Sequence, residues 1–193
     1  MLNSETISNL RFGVSMNFIS NLNTDTSLTI NPSSVADTVT SGKTNTKIPF
    51  RLITGILLVL NDKYNFNLDY IYQPWSQYTF GGVSSPNLRD VHRIGLGFEY
   101  ALMYEPGRTT WEQIRWRLGL SYELTQYVIN GNDITQFGTY AGLSFPLGVG
   151  NTFDLDFEYS FRGTTDNNLV QENFFRINIG ISFGELWFQR VEK

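Results

Sequence analysis

Residues 173–188 constrain the fold of this chain more than any other stretch, because apolar side chains alternate there with small or polar ones. In an extended strand, such an alternation gives the two faces different chemistry. The apolar set is Phe175, Ile177, Ile179, Ile181 and Phe183, and the other set is Arg176, Asn178, Gly180, Ser182 and Gly184. The run is longer than the ~5–6 residues usual for strands of soluble domains. Its length favours a strand that crosses a membrane as part of a β-barrel.

Six further segments alternate in the same way, and a seventh, residues 48–60, is apolar without a regular alternation; together they predict eight strands. They are residues 10–18, 48–60, 65–73, 92–102, 114–124, 137–147 and 153–161. Two of these segments admit other interpretations. Residues 56–60 are apolar on both faces, as in a buried strand or a helical turn. Trp111, Ile114 and Leu118 have helical spacing, but the alternation from Ile114 to Leu124 is longer and predicts a strand with Ile114 on its apolar face.

The connections between the predicted strands alternate in length. Long polar connections lie near residues 21–47, 76–90, 128–134 and 163–170, and short ones near 61–63, 105–109 and 148–151. In the first of the long connections, residues 27–30 could pair briefly. Short periplasmic turns and longer external loops are typical of outer-membrane barrels. We therefore predict an all-β fold: an antiparallel up-and-down transmembrane β-barrel of about eight strands. It occupies residues 1–193 as a single barrel domain or as the carboxy-terminal part of a larger barrel.

The orientation of the two faces decides between a soluble and a membrane protein. In a soluble sandwich the apolar face is the core, whereas in a membrane barrel it faces lipid. Aromatic residues make up 15 % of the chain and there are 17 glycines, yet mean hydropathy is slightly negative. Tyr70, Tyr72, Trp75 and Tyr78 cluster near a strand end, where an interfacial aromatic belt is expected. Strand length, this belt and the glycines of the polar face favour the membrane barrel.

The polar faces of the predicted strands carry charges of both signs. We expect the following side chains to face the lumen: Arg93, Glu99, Arg115, Arg117, Glu123, Asp154, Asp156, Glu158, Arg162 and Arg176. Charges removed from water must be paired, so a network of ion pairs is one interpretation. A polar conduit or solute site is the other, and the sequence leaves both open.

Composition argues against several functions. The chain has no Cys and one His, so thiolate and multi-histidine metal sites are not expected. His92 begins a strand, and the chain lacks the Gly-x-Ser-x-Gly motif of a hydrolase elbow. The net charge of −4 is unlike that of a nucleic-acid-binding protein. We therefore expect no enzyme activity, no cofactor, no metal site and no nucleic-acid partner.

An ordered series of short motifs resembles a known transporter family. They include residues 70–76 (YIYQPWS), 93–100 (RIGLGFEY), 117–123 (RLGLSYE), 130–134 (NGNDI), 142–147 (GLSFPL) and 184–188 (GELWF). Together these resemble the carboxy-terminal half of the long-chain fatty-acid and aromatic-hydrocarbon outer-membrane transporter family, in its Bacteroidetes-type form. The resemblance covers nearly the whole chain.

That resemblance implies a barrel of the bacterial outer membrane that passes hydrophobic compounds inward. Its expected partners are membrane lipid, the outer-membrane assembly machinery and a hydrophobic small-molecule solute. The chain departs from the family in lacking the amino-terminal hatch segment and the first strands. Residues 1–6 also do not resemble a secretory signal, so we expect a mature form, a truncated product or a fragment. The alternative function is a non-conducting structural or anchoring barrel with a salt-bridged polar interior.

Overall fold

The computed structural model describes residues 6–18, 21–30, 37–102, 107–148 and 150–184. Strands dominate these ranges. In chain order they are β1 (Ile7–Asn17), β2 (Leu22–Ile30), β3 (Asp37–Lys47), β4 (Arg51–Leu60), β5 (Tyr64–Gln73), β6 (Thr79–Phe80), β7 (Val83–Ser84), β8 (Val91–Tyr100), β9 (Arg115–Ile129), β10 (Asn132–Gly148), β11 (Asn151–Arg162) and β12 (Glu172–Ser182). Within the described ranges, no helix is long and apolar enough to cross a membrane. Residues 185–188, the end of the last predicted strand, lie outside the described residues.

Eight strands form one antiparallel sheet, as the sequence predicts. Their order is β1-β4-β5-β8-β9-β10-β11-β12, so each strand pairs with its neighbours in this up-and-down series. The register brings side chains of one kind into rows across the sheet. One such row runs through Phe12, Ile56, Leu68, Leu96, Leu120, Thr139, Tyr159 and Phe175. We call the face that carries this row the apolar face and the opposite one the polar face.

A second, four-stranded sheet corrects the prediction of a mostly irregular loop at residues 21–47. Its order is β2-β3-β6-β7, and the hairpin of β2 and β3 pairs from Leu22 opposite Thr46 to Ile30 opposite Asp37. The segment is polar, so it has no alternation of apolar and polar residues to reveal a strand. Hydrogen bonds of the backbone ladder can form without that pattern, and β-branched Thr favours extended backbone.

The connection predicted at residues 128–134 is also much tighter than expected. β9 and β10 continue beyond the main sheet to a two-residue turn, with Ile129 paired to Asn132. Asn130 and Gly131 have φ of 51° and 75°, the left-handed values that a type I′ turn requires at both positions. Asn-Gly is a strong hairpin signal, but the alternation breaks after Leu124, where residues 127–129 are all apolar, so the two strand extensions were not predicted.

The structure contradicts the competing helix at residues 111–118. It also contradicts the predicted position of Ile114 on the apolar face. A 3₁₀ turn, Thr110–Gln113, precedes the strand, and β9 begins at Arg115. Ile114 therefore lies before the strand, and it is only 5 % exposed instead of projecting from the apolar face. Beyond Arg115 the strand alternates as predicted.

The apolar face is the exposed one, and the polar face holds the buried side chains of the sheet. Leu118 is 57 % exposed, whereas Ser160, on the polar face of β11, is 1 % exposed. Ser121 and Ser144, also on the polar face, are buried too. This is the reverse of a soluble sheet, which buries its apolar face. Only an apolar surrounding makes this arrangement favourable.

The tight turn gives a test of the β9–β10 hairpin. Gly131→Val should lower the free energy of unfolding by about 1–2 kcal/mol, because a β-branched residue is strained in the left-handed region. A Cβ at Gly131 would meet nothing within 4 Å, so the loss comes from backbone strain alone. Urea titration of the protein folded in detergent measures it.

Gly95→Ala is the matched control. A Cβ there also meets nothing within 4 Å, and Gly95 does not have a positive φ. Its unfolding free energy should stay within about 0.5 kcal/mol of the unmodified protein. Equal losses in both variants would show that the turn conformation is not the cause.

Candidate functional site

The polar face is built from bulky side chains that lie over glycines of the neighbouring strand. Asn67 of β5 covers Gly97 of β8, where an added Cβ would clash with its amide group. In the same way, Asp156 of β11 occupies the space beside Gly142 of β10. Glycine at these positions allows the close approach that a larger residue would prevent.

All ten side chains predicted to face the lumen fall on the polar face by register. They are Arg93 and Glu99 on β8; Arg115, Arg117 and Glu123 on β9; Asp154, Asp156, Glu158 and Arg162 on β11; and Arg176 on β12. Arg115 is exposed at the first position of its strand. Their orientation toward an enclosed lumen stays a prediction.

Arg117 organises the strongest charge cluster of the polar face. One of its terminal nitrogens, Nη2, lies 3.0 Å from Asp154 Oδ1 and 3.1 Å from Asp156 Oδ1. Thr152 donates a hydrogen bond of 3.1 Å to Asp154. The Nε of Arg117 is buried and has no hydrogen-bond partner among the described residues. The cluster joins β9 to β11 across the glycine at position 142.

Four more of the predicted residues form pairs. Arg176 contacts Glu158 at 2.8 Å and Arg93 lies 4.0 Å from Glu123. Two further predicted residues use uncharged partners: Glu99 accepts a hydrogen bond from Asn65, and Arg162 donates one to Gln136. Arg162 also lies over the ring of Phe174, 5.4 Å from its centroid. Most of the predicted charges are thus in contact with a neighbour.

An apolar stripe on the polar face was missed by the prediction. Ile53, Leu57 and Val59 of β4 and Ile71 of β5 share the face of Gly55 and Asp69 by register. All four are half-buried. Apolar residues on both faces of residues 56–60 were the available signal, but a buried strand explained them equally well.

Arg89, which the sequence analysis did not select, fastens the long connection 76–90 to the β9–β10 hairpin. Its Nε and Nη2 donate hydrogen bonds of 2.8 and 2.7 Å to the carbonyls of Thr125 and Ile134. Its Nη1 lies 2.5 Å from Asp133. Arg89 also donates its backbone N–H to the carbonyl of Gln126. One side chain therefore joins three segments at the long-loop end of the sheet.

Asp90 fastens the other side of the same connection. Its carboxylate accepts hydrogen bonds from the Ser76 backbone N–H at 3.1 Å and from the Tyr72 hydroxyl at 3.0 Å. Partial burial disfavours the charged form, but hydrogen bonds from Ser76 and Tyr72 outweigh it and hold the pKa of Asp90 below its usual value. The carboxylate therefore stays charged at neutral pH.

Aromatic side chains mark both ends of the apolar face. At the long-loop end Phe50 packs against Tyr72, with ring centroids 6.1 Å apart. At the short-turn end Tyr64 and Tyr100 are 5.4 Å apart, and Trp116 pairs with Tyr100 in the register. Tyr64 and Tyr72 lie near the two ends of β5, whose 10 residues are within the about 9–11 that a tilted strand needs to cross a bilayer.

An exposed apolar face between two aromatic belts, with a polar face behind it, defines the sheet of a transmembrane β-barrel of the outer-membrane type. Comparison with known proteins agrees with this class. The chain belongs to the BamG family, whose model matches residues 2–192. The transporter family that the motifs resemble is not the family identified by this match.

One solved structure with a similar fold is described as "CymD monoaromatic hydrocarbon channel". It is 20 % identical to this chain, with a TM-score of 0.53, and the alignment covers 91 % of this chain and 47 % of the channel. The chain thus spans about half the length of that protein. At this identity the likeness concerns the fold alone. No curated protein matches the sequence.

The facing of the sheet can be tested with one charge on each face. Leu118→Arg, between the two belts on the apolar face, should lower the unfolding free energy in lipid by about 2–4 kcal/mol. Asn178→Arg lies on the polar face opposite Asp156 and should change it by less than about 1 kcal/mol. Reversible urea unfolding in liposomes measures both variants. A larger loss for Asn178→Arg would reverse the assignment of the two faces.

The Asp90 contacts predict a pH dependence at the long-loop end. Because the folded pKa is lowered, the attachment is complete above the unfolded value of about 3.9 and is lost as pH falls through the folded pKa. At neutral pH, Asp90→Asn should lower the protection of the Ser76 amide against hydrogen exchange by about 1–2 kcal/mol.

Asp133→Asn serves as the control for the same measurement. It removes the ion pair with Arg89 but no hydrogen bond to Ser76. Unchanged Ser76 protection in Asp90→Asn, or an equal loss in the control, would contradict the assigned anchor.

Proposed function

We propose that this chain forms the wall of an outer-membrane barrel that passes hydrophobic compounds across the bacterial outer membrane. The observation that carries the proposal is the apolar stripe of Ile53, Leu57, Val59 and Ile71 on the polar face. Water inside a barrel gains nothing from such a surface, whereas a hydrophobic solute is stabilised by contact with it. The description of the similar structure as a hydrocarbon channel and the motif resemblance support the same solute class.

The polar face has an apolar part and a charged part, so a passage along it would have one apolar side and one charged side. The stripe occupies β4 and β5, while the paired charges of Arg117 and Arg176 lie on β9, β11 and β12. Charges that are already paired within the sheet are less available to bind ions. We therefore expect a hydrophobic solute to follow the stripe and to leave the charge clusters undisturbed.

A second candidate function is a structural or anchoring barrel without conductance. The cluster around Arg117 and the pairs Arg176–Glu158 and Arg93–Glu123 favour it, because paired charges fill a barrel interior. The family's name also associates the chain with the outer-membrane assembly machinery. We propose this machinery as a partner and the bacterial outer membrane as the location. For neither candidate function do we expect enzyme activity.

The stripe gives the test of the leading proposal. Leu57→Asn removes apolar contact surface from the passage and should reduce uptake of a monoaromatic hydrocarbon about threefold to tenfold, since each lost methylene contact contributes about 0.8 kcal/mol. Uptake of the labelled hydrocarbon is measured in bacterial cells whose outer membrane carries lipopolysaccharide. The folded amount in the membrane is normalised by heat-modifiable gel mobility.

Ile71→Val, which keeps the stripe apolar, is the matched control and should retain uptake near that of the unmodified protein. If the unmodified protein is folded in the membrane but raises uptake no more than an empty vector does, the transport proposal is wrong. If it also shows no conductance in a planar bilayer, the structural barrel is the better account.

A further inference from the structure

Within the part of the chain that the structure describes, each of the two outermost strands of the main sheet has one unpaired backbone edge. Among the described residues, β1 pairs only with β4 and β12 only with β11. Nearly all side chains of both strands are exposed on both faces. In hydrocarbon, an unpaired N–H or C=O group has no water to bond. Each edge therefore needs a partner strand for the sheet to be stable in a membrane.

The two edges match each other in length and direction. β1 and β12 each contain 11 residues. Because the sheet has eight antiparallel strands, its first and last strands run in opposite directions. Ile7 and Ser182 lie at the short-turn end, and Asn17 and Glu172 at the long-loop end. β1 and β12 are thus suited to pair with each other in antiparallel fashion.

The pairings of the described strands do not bring these edges together within one chain. The alignment with the hydrocarbon channel covers 91 % of this chain but 47 % of the channel chain, so this chain spans about half the length of a protein with a similar fold. Polar-face side chains in the interior of the sheet, such as Ser144 and Ser160, are buried. Arg11 and Arg176, on the same face at the two edges, are exposed. Closure of the chain on itself would cover them.

We propose that two copies of this chain close one barrel, with β1 of each copy paired to β12 of the other. Eight strands from each copy give sixteen, an even number as in bacterial barrels of a single chain. A two-fold axis along the membrane normal relates the copies and makes the two seams identical. A barrel of that size encloses a lumen.

The side chains at the two edges fit this seam. When the strand midpoints Phe12 and Ile177 are aligned, Val14 lies opposite Phe175 on the lipid side and Gly13 lies opposite Arg176 on the polar side. A Cβ at Gly13 meets nothing within 4 Å, as at Gly95 inside the sheet, whereas Gly55 and Gly142 are covered by a side chain of the next strand. In the dimer, Arg176 of the second copy lies over Gly13. This repeats the pairing of a bulky side chain with glycine at Gly55 and Gly142.

Disulfide cross-linking tests the seam, because the chain has no natural Cys. The double variant Val14→Cys/Phe175→Cys is folded in detergent, checked by heat-modifiable gel mobility and oxidised. We expect a covalent dimer on a non-reducing gel. In two parallel variants, Phe175→Cys is replaced by Ile177→Cys or by Asn173→Cys. These variants detect a seam whose register is shifted by two residues in either direction. In the control Val14→Cys/Leu118→Cys, the second position lies within the sheet, and only monomers are expected.

The mass of the unmodified protein in detergent, from light scattering corrected for bound detergent, should equal two copies. A cross-linked monomer would mean that the chain closes on itself, and would overturn the proposal. So would a folded protein with the mass of one copy and no cross-link in any variant, since other strands would then cover the edges. Neither measurement involves a solute, so the result is independent of the transport proposal.

Discussion

Satisfaction of the backbone hydrogen bonds is the constraint on which the rest of this structure depends. A strand in hydrocarbon has no water for its N–H and C=O groups, so a neighbouring strand must supply the partners. Between β1 and β12 the main sheet meets this requirement through an antiparallel ladder, and among the described residues only the outer edges of these two strands remain without a partner. Backbone pairing also explains how the apolar face can be the exposed one, the reverse of the arrangement in a soluble sheet. Once the backbone is paired, the apolar face lowers the free energy by facing lipid, and the charged face by facing away from it.

The ladder also determines how the polar face is packed. Adjacent strands lie only about 4.8 Å apart, so two bulky side chains cannot lie side by side everywhere. Glycines at positions 97 and 142 give space to Asn67 and Asp156 on the neighbouring strands. This spacing lets Arg117 reach two carboxylates on β11. The charge pairing of Arg117 therefore depends on where glycine occurs.

Membership of the BamG family and a fold shared with a hydrocarbon channel fix the fold class of this protein but not its function. Fold and function are separable, because function resides in particular side chains placed on the fold. The transport proposal depends on few of them: four apolar residues on β4 and β5 that share a face with charged residues. Arg89 and Asp90 have a different role, since they hold the long connection 76–90 against the strands.

The sequence alone determined the eight strands, their order and, except on β4, which residues share a face, because period-two alternation is a local property of each strand. It did not predict the β2–β3 hairpin, which is polar, or the extended β9–β10 hairpin, where the alternation breaks after Leu124. Ile114 was misplaced because strand boundaries are weakly encoded. Only the tertiary structure decided which charges pair, for example Arg117 with Asp154 and Asp156. The choice depends on register between strands distant in sequence, and register is set by the assembled sheet.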